Sequence, residues 1–274
     1  MSNSKVSRRK FIATGLTFAA GAALAGCGVN GAASPATAEP AKGQPVAAAV
    51  SGADQPLPWP YEVIDPEVVR KRAYENYFEG GCCYAAGKAI VDSINEKVGG
   101  PWGNIPTDMF KYGKGGALGW GTLCGALNGS LLAINLVTGK DVDLIGNELI
   151  GWYTMFPFPS TKMDSYAKIT NQITTISNSP LCHVSVSLWA SAANAKINGD
   201  EKANRCAKVS GDTAAEAIMY LNNWKEGKFT PAYTPGSEFA SCLTCHNGAK
   251  SMLDNEQGKM SCLQCHDEKS QGHP

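Results

Sequence analysis

The stretch TLCGALNGSLLAINLVTGK, Thr122 to Lys140, and the DVDLIGNELIGWYTMF that follows it, Asp141 to Phe156, decide the fold class of this 274-residue chain. Thr122 to Val137 is strongly apolar and is closed by Gly139, the residue type that most often ends a helix. Asp141 to Phe156 reads as a second helix. Working outward, Asp65-Pro66 offers a cap followed by proline at the first helical position. A helix is predicted from there to Phe78, stopping at Gly80-Gly81, and another from Tyr84 to Val98, closed by Gly99-Gly100. Downstream, Ser179-Pro180 opens a helix through Trp189, and Thr213 to Trp224 forms the last, with Asp212 as its cap. No alternating run of six or more residues competes between 61 and 230. The fold class is mainly α.

The two ends have a different character. Ser7-Arg8-Arg9-Lys10-Phe11-Ile12 reads as a twin-arginine export signal, and the apolar small-residue run from Ala13 to Ala25 completes a signal peptide over residues 1–26. Leu24-Ala25-Gly26-Cys27 has the form of a bacterial lipobox, in which Cys27 is lipidated and anchors the protein; soluble cleavage after Ala38 is the alternative. Residues 27–58 are rich in Ala, Pro, Gly and Ser and read as a flexible tether. The helical domain then spans 59–232, and a polar segment dense in Cys and His spans 233–274. That segment has no apolar core of its own and is expected to be largely irregular.

Charge narrows the function classes. The chain holds 24 basic and 24 acidic residues; without residues 1–26, which carry Lys5, Arg8, Arg9 and Lys10 and no acid, 20 face 24, a net charge of −4. That balance argues against nucleic acid as partner, which needs a basic face.

Cys242-Leu243-Thr244-Cys245-His246 and Cys262-Leu263-Gln264-Cys265-His266 are two C-x-x-C-H sequences. In each, the paired cysteines are placed to form thioethers with haem vinyl groups, and the adjacent histidine, His246 or His266, to bind the iron. A zinc ribbon fits the spacing between the pairs, but does not require histidine after both. Two disulfides are a third reading, but C-x-x-C is a strained loop for a structural bridge. Two haems c therefore fit best. The chain has four histidines, so His183 and His273 remain as candidate distal ligands, with Met252 and Met260 as alternatives.

Cys82, Cys83, Cys124, Cys182 and Cys206 lie in the helical domain. Four cysteines can hold an iron–sulfur cluster, and two disulfides are the simple alternative. The spacings match no ferredoxin run. The export signal favours the cluster, because the twin-arginine route carries proteins already folded around cofactors.

At these residues the sequence resembles the split-Soret cytochromes c, and its domain is similar to a family of redox proteins defined by a GCAxxG motif and further single cysteines. Cys83-Tyr84-Ala85-Ala86-Gly87 fits C-A-x-x-G loosely, with Cys82 where that motif has glycine and Tyr84 where it has alanine. Leu123-Cys124-Gly125-Ala126-Leu127 matches a C-G-A segment, and Cys182 and Cys206 match the later positions. The resemblance covers about residues 60–274. It implies a homodimer with two closely packed haems per subunit and a [2Fe–2S] cluster on Cys83, Cys124, Cys182 and Cys206. Cys82 is the alternative to Cys83, which the spacing to Gly87 favours. It also implies a periplasmic electron carrier of anaerobic, sulfate-respiring bacteria, serving redox partner proteins, with a distal haem ligand, His183 or His273, crossing the dimer interface. The competing expectations are a small reductase with an open coordination site, and a zinc- or disulfide-stapled lipoprotein without a redox role.

Overall fold

A computed structural model describes residues 55–234, 237–255 and 258–261. The export signal, Cys27 and most of the tether lie outside the described residues, as do Cys262, Cys265, His266 and His273. The described elements are helical: α1 (Pro66–Val98), α2 (Gly125–Thr138), α3 (Val142–Met155), α4 (Cys182–Ala193), α5 (Asp200–Lys225) and α6 (Ser237–His246), with short 3-10 turns at Gly100–Asn104, Thr107–Gly113 and Gly139–Asp141. Among the described residues no helix is long and apolar enough to cross a membrane.

Helix α1 starts where the sequence places it. The Asp65 carboxylate accepts from Glu67 N at 2.9 Å, Pro66 takes the first turn, and Gly99 ends the helix. The two helices expected on either side of Gly80-Gly81 form one 33-residue run, broken in direction at Gly81, whose φ of 80° and ψ of −176° are not helical. That backbone region is essentially reserved for glycine.

Helices α1 and α5 lie along each other, and α2 packs against both. Their shared core holds Ile90, Ile94, Leu127, Ile134, Ile145, Leu149, Ile218 and Leu221, all buried. The α1–α2 crossing is close enough that a Cβ on Gly129 would stand 2.4 Å from Cys83 O and 2.7 Å from Gly87 N. Backbone cannot give way as a side-chain end can. Gly129→Ala is therefore expected to cost about 3 kcal/mol, read as a lower midpoint in chemical denaturation.

Helix α5 departs most from expectation. It begins at Asp200, not at Thr213, and Asp212 is no cap but an interior residue, 2% exposed. Asp212 pairs with Arg70 of α1 and accepts from Ser160 N at 3.0 Å. The added turns are polar by composition yet buried. Asn204 accepts from Tyr74 Oη at 2.7 Å and donates to Ile169 O at 2.8 Å, and Lys208 pairs with Asp164. Helix α4 begins two residues later than Ser179-Pro180. Residues 181–183 first run antiparallel to 121–124, with Cys182 N donating to Thr122 O at 2.7 Å and Cys124 N to Pro180 O at 2.9 Å.

The C-terminal segment is tied to α3. Glu148 accepts from the backbone of Ala232 at 2.9 Å and Tyr233 at 2.8 Å, and Lys259 Nζ donates to Asn147 Oδ1 at 3.1 Å. The segment is less irregular than its composition suggests, since Ser237–His246 is helical.

Candidate metal centre

Four elements each bring one thiol to a common buried region. Cys82 follows the Gly81 break in α1, Cys124 caps α2, Cys182 is the first residue of α4, and Cys206 lies on α5. The short antiparallel pairing described above fixes Cys124 and Cys182 side by side. Both stand at helix N-termini, where the peptide dipoles favour negative charge. Cys82, Cys124 and Cys206 are buried and Cys182 half-buried, and none is in a disulfide.

Electrostatics shows which thiols share the region. Burial pushes the Cys82 thiol well above its ordinary range, and Cys124, Cys206 and Cys182 push it in the same direction. Burial, then Cys124 and Cys206, raises Cys182 to about 12. Burial also raises Cys124, against the Tyr153 hydroxyl and the Ala126 N–H, which hold it down. Burial raises the half-buried Tyr77 hydroxyl too, with Cys206, Cys82 and Cys182 adding to the effect. Burial thus favours the protonated form of Cys82, Cys124 and Cys182, and a bound metal is what would deprotonate them.

Cys83 interacts with fewer of these thiols. Burial and, after it, Cys124 alone raise its thiol to about 12. A Cβ on Gly113 would meet Cys83 Sγ at 2.6 Å. By contrast, Cys82 Sγ lies 4.0 Å from Gly113 O, and a Cβ on Gly125 would stand 2.4 Å from it. By these interactions Cys82, which the sequence reading held as the alternative to Cys83, shares its surroundings with Cys124, Cys182 and Cys206. Cys82 follows the Gly81 break directly, and both adjacent cysteines are buried.

A buried cation borders the thiols. Arg205, 1% exposed, brings Nη1 to 3.9 Å from Cys206 Sγ and donates from Nη2 to Ser185 Oγ at 2.8 Å. The Tyr153 hydroxyl donates to the same Ser185 Oγ at 3.1 Å. Arg205 Nε has no partner. Nothing in the sequence marks Tyr77, Tyr153 or Arg205 as belonging to a site, except that Arg205 adjoins Cys206.

Among the described residues no three Cys, His, Asp or Glu groups stand ready to close on a single metal ion. Four thiols from four elements, with a buried guanidinium beside them that no carboxylate pairs with among the described residues, fit a larger anionic group. A tetrathiolate iron–sulfur cluster is such a group.

The first C-x-x-C-H lies on α6. Cys242, Cys245 and His246 occupy spacings that share one helix face. Cys245 is exposed, and His246 Nδ1 lies 3.0 Å from Asn255 Oδ1. Donation from Nδ1 to that oxygen puts the ring's lone pair on Nε2, the arrangement of an iron-bound histidine. The chain turns back after the helix, with Leu253 N donating to Cys245 O at 2.8 Å and Asn255 N to His246 O at 3.0 Å. His183 is exposed at the start of α4, and a Cβ on Gly121 would meet its Cβ at 2.9 Å. Met252 is 82% exposed and Met260 40%.

Comparison with known proteins gives the family. Residues 84–219 match the family described as "Putative redox-active protein (C_GCAxxG_C_C)". Split-Soret cytochrome c of Desulfovibrio desulfuricans is 31% identical over 268 residues, 95% of this chain and 94% of that protein. A solved structure of the split-Soret cytochrome c from that organism, described as having a novel iron centre, superposes with a TM-score of 0.72 at 30% identity. It covers 79% of this chain and 95% of its own. On sequence and fold together, the chain belongs to the split-Soret cytochrome c family of redox proteins.

Proposed function

We propose that the protein is a periplasmic electron carrier holding two covalently attached haems c and one [2Fe–2S] cluster. The observation that carries this reading is the twice-repeated C-x-x-C-H in a chain related over 95% of its length to a split-Soret cytochrome c. Cys242 and Cys245 anchor one haem and His246 ligates it; Cys262, Cys265 and His266 do the same for the other. Cys82, Cys124, Cys182 and Cys206 hold the cluster. These groups supply one-electron chemistry when bound.

The chain's own residues do the rest. Asn255 orients the His246 ring, burial keeps water from Cys82, Cys124 and Cys206, and Tyr77 and Tyr153 place hydroxyls against Cys206 and Cys124. The exposed His183 suits a ligand for a haem of a second copy in a homodimer better than one buried within its own domain, and His273 is the other candidate. Export by the twin-arginine route, with Cys27 as a lipid anchor, would deliver the protein folded and loaded to redox partner proteins.

The test is a pyridine haemochrome count on the purified protein, with total iron and acid-labile sulfide on the same sample. Two c-type haems per chain, with two further irons and two sulfides, are expected. A colourless protein containing zinc would contradict the whole reading; haem without sulfide would remove the cluster alone.

A further inference from the structure

We infer that Arg205 is a positioning residue for the cluster, a built-in counter-cation that sets how readily the centre takes up an electron. The inference rests on the cluster reading above and names a residue that reading does not use.

The argument begins from burial. Arg205 is 1% exposed, its side chain sits among Ser185, Trp189, Tyr153 and Cys206, and among the described residues no carboxylate pairs with it. The other fully buried cation of α5, Lys208, has Asp164, and the buried Arg70 has Asp212. A guanidinium cannot escape by losing its proton. Removing it from water without an anion is among the largest single penalties a fold can carry. Ser185 and the Trp189 face, with Cζ 5.9 Å from the ring centroid, satisfy only part of it, and Nε remains unpartnered. The negative charge that answers it comes from the four cysteines once a bound cluster has taken their protons, because the cluster with its thiolates is anionic as a whole.

A [2Fe–2S] centre on four thiolates has a net charge of −2 oxidised and −3 reduced. One electron from a redox partner makes the change, with no bond formed or broken. A fixed buried cation attracts the reduced form more strongly, so Arg205 shifts the equilibrium toward reduction. Ser185, Trp189 and Tyr153 beside it carry no formal charge and do not oppose that shift.

The experiment compares the full-length protein with Arg205→Met and Arg205→Lys in a spectroscopic redox titration, with the haem potentials as internal reference. Arg205→Met is expected to disfavour reduction of the cluster by at least about tenfold, which is 59 mV for one electron. Arg205→Lys, which keeps the charge, is expected to stay within about threefold of the parent. A Met variant with a filled centre and an unmoved potential overturns the inference while leaving the cluster in place. A parent lacking acid-labile sulfide overturns both the cluster and the role of Arg205. If the Met variant takes up no cluster, the thermal midpoints of the chelator-treated proteins decide. A counter-cation with no anion is a liability, so the Met variant should then melt above the parent; a lower midpoint makes Arg205 a packing residue and overturns the inference.

Discussion

Cys82→Ser empties the cluster site and Cys83→Ser leaves it filled: this is the expected result of the most direct test of the metal centre. The two residues are adjacent on α1 and both buried, so burial cannot separate them. Their neighbours do. The Cys82 thiol is raised by Cys124, Cys206 and Cys182 besides burial, whereas Cys124 is the one thiol that raises Cys83. Residues that merely support a metal ligand are worth roughly 10- to 100-fold in metal affinity, so loss of a ligand itself costs more. Acid-labile sulfide in Cys82→Ser is expected to fall to the background of the assay, while Cys83→Ser retains the parent value. Haem content should be unchanged in both, since Cys242 and Cys245 lie on α6. Sulfide lost in Cys83→Ser and kept in Cys82→Ser would restore the assignment that the spacing to Gly87 suggests.

That pair also shows where the sequence is informative and where it is not. The α class, the caps at Asp65 and Gly99, and helices α2 and α3 within a few residues follow from apolar runs bounded by glycine and proline, which act locally. The haem attachment sequence is legible for the same reason, since its chemistry needs three residues within one turn and a half of chain. The cysteine centre is assembled from four elements, and which neighbour of a Cys-Cys pair faces it depends on one backbone angle at Gly81. Spacing along the chain does not encode that angle. The first half of α5 was hidden for another reason. Asn204, Arg205 and Lys208 stand ahead of the helix that the sequence begins with Asp212 as cap, but each of them, like Asp212, is buried against a specific partner or against the thiols. Hydropathy cannot register a polar residue whose partner lies more than a hundred residues away, as Arg70 does from Asp212.

Gly81→Ala should therefore damage stability and cofactor content together, which few single substitutions in a helix do. At φ 80° and ψ −176° the backbone is in a region that only glycine adopts readily, and an added Cβ would stand 2.8 Å from Lys114 Cβ. Strain costs about 1–3 kcal/mol and the steric contact about 1–3 more. A chain that avoids this by straightening α1 rotates Cys82 away from Cys124, Cys182 and Cys206. Gly227→Ala supplies the control: it too has positive φ, 69°, but a Cβ there meets nothing within 4 Å. It should cost only about 1–2 kcal/mol of strain and leave labile sulfide at the parent level. Denaturant midpoints and sulfide content of the two variants check this directly. If Gly81→Ala matched Gly227→Ala in both, the break in α1 would be incidental to the centre. If it lost sulfide out of proportion to stability, the bend at Gly81 would be the feature that brings Cys82 to the other three thiols.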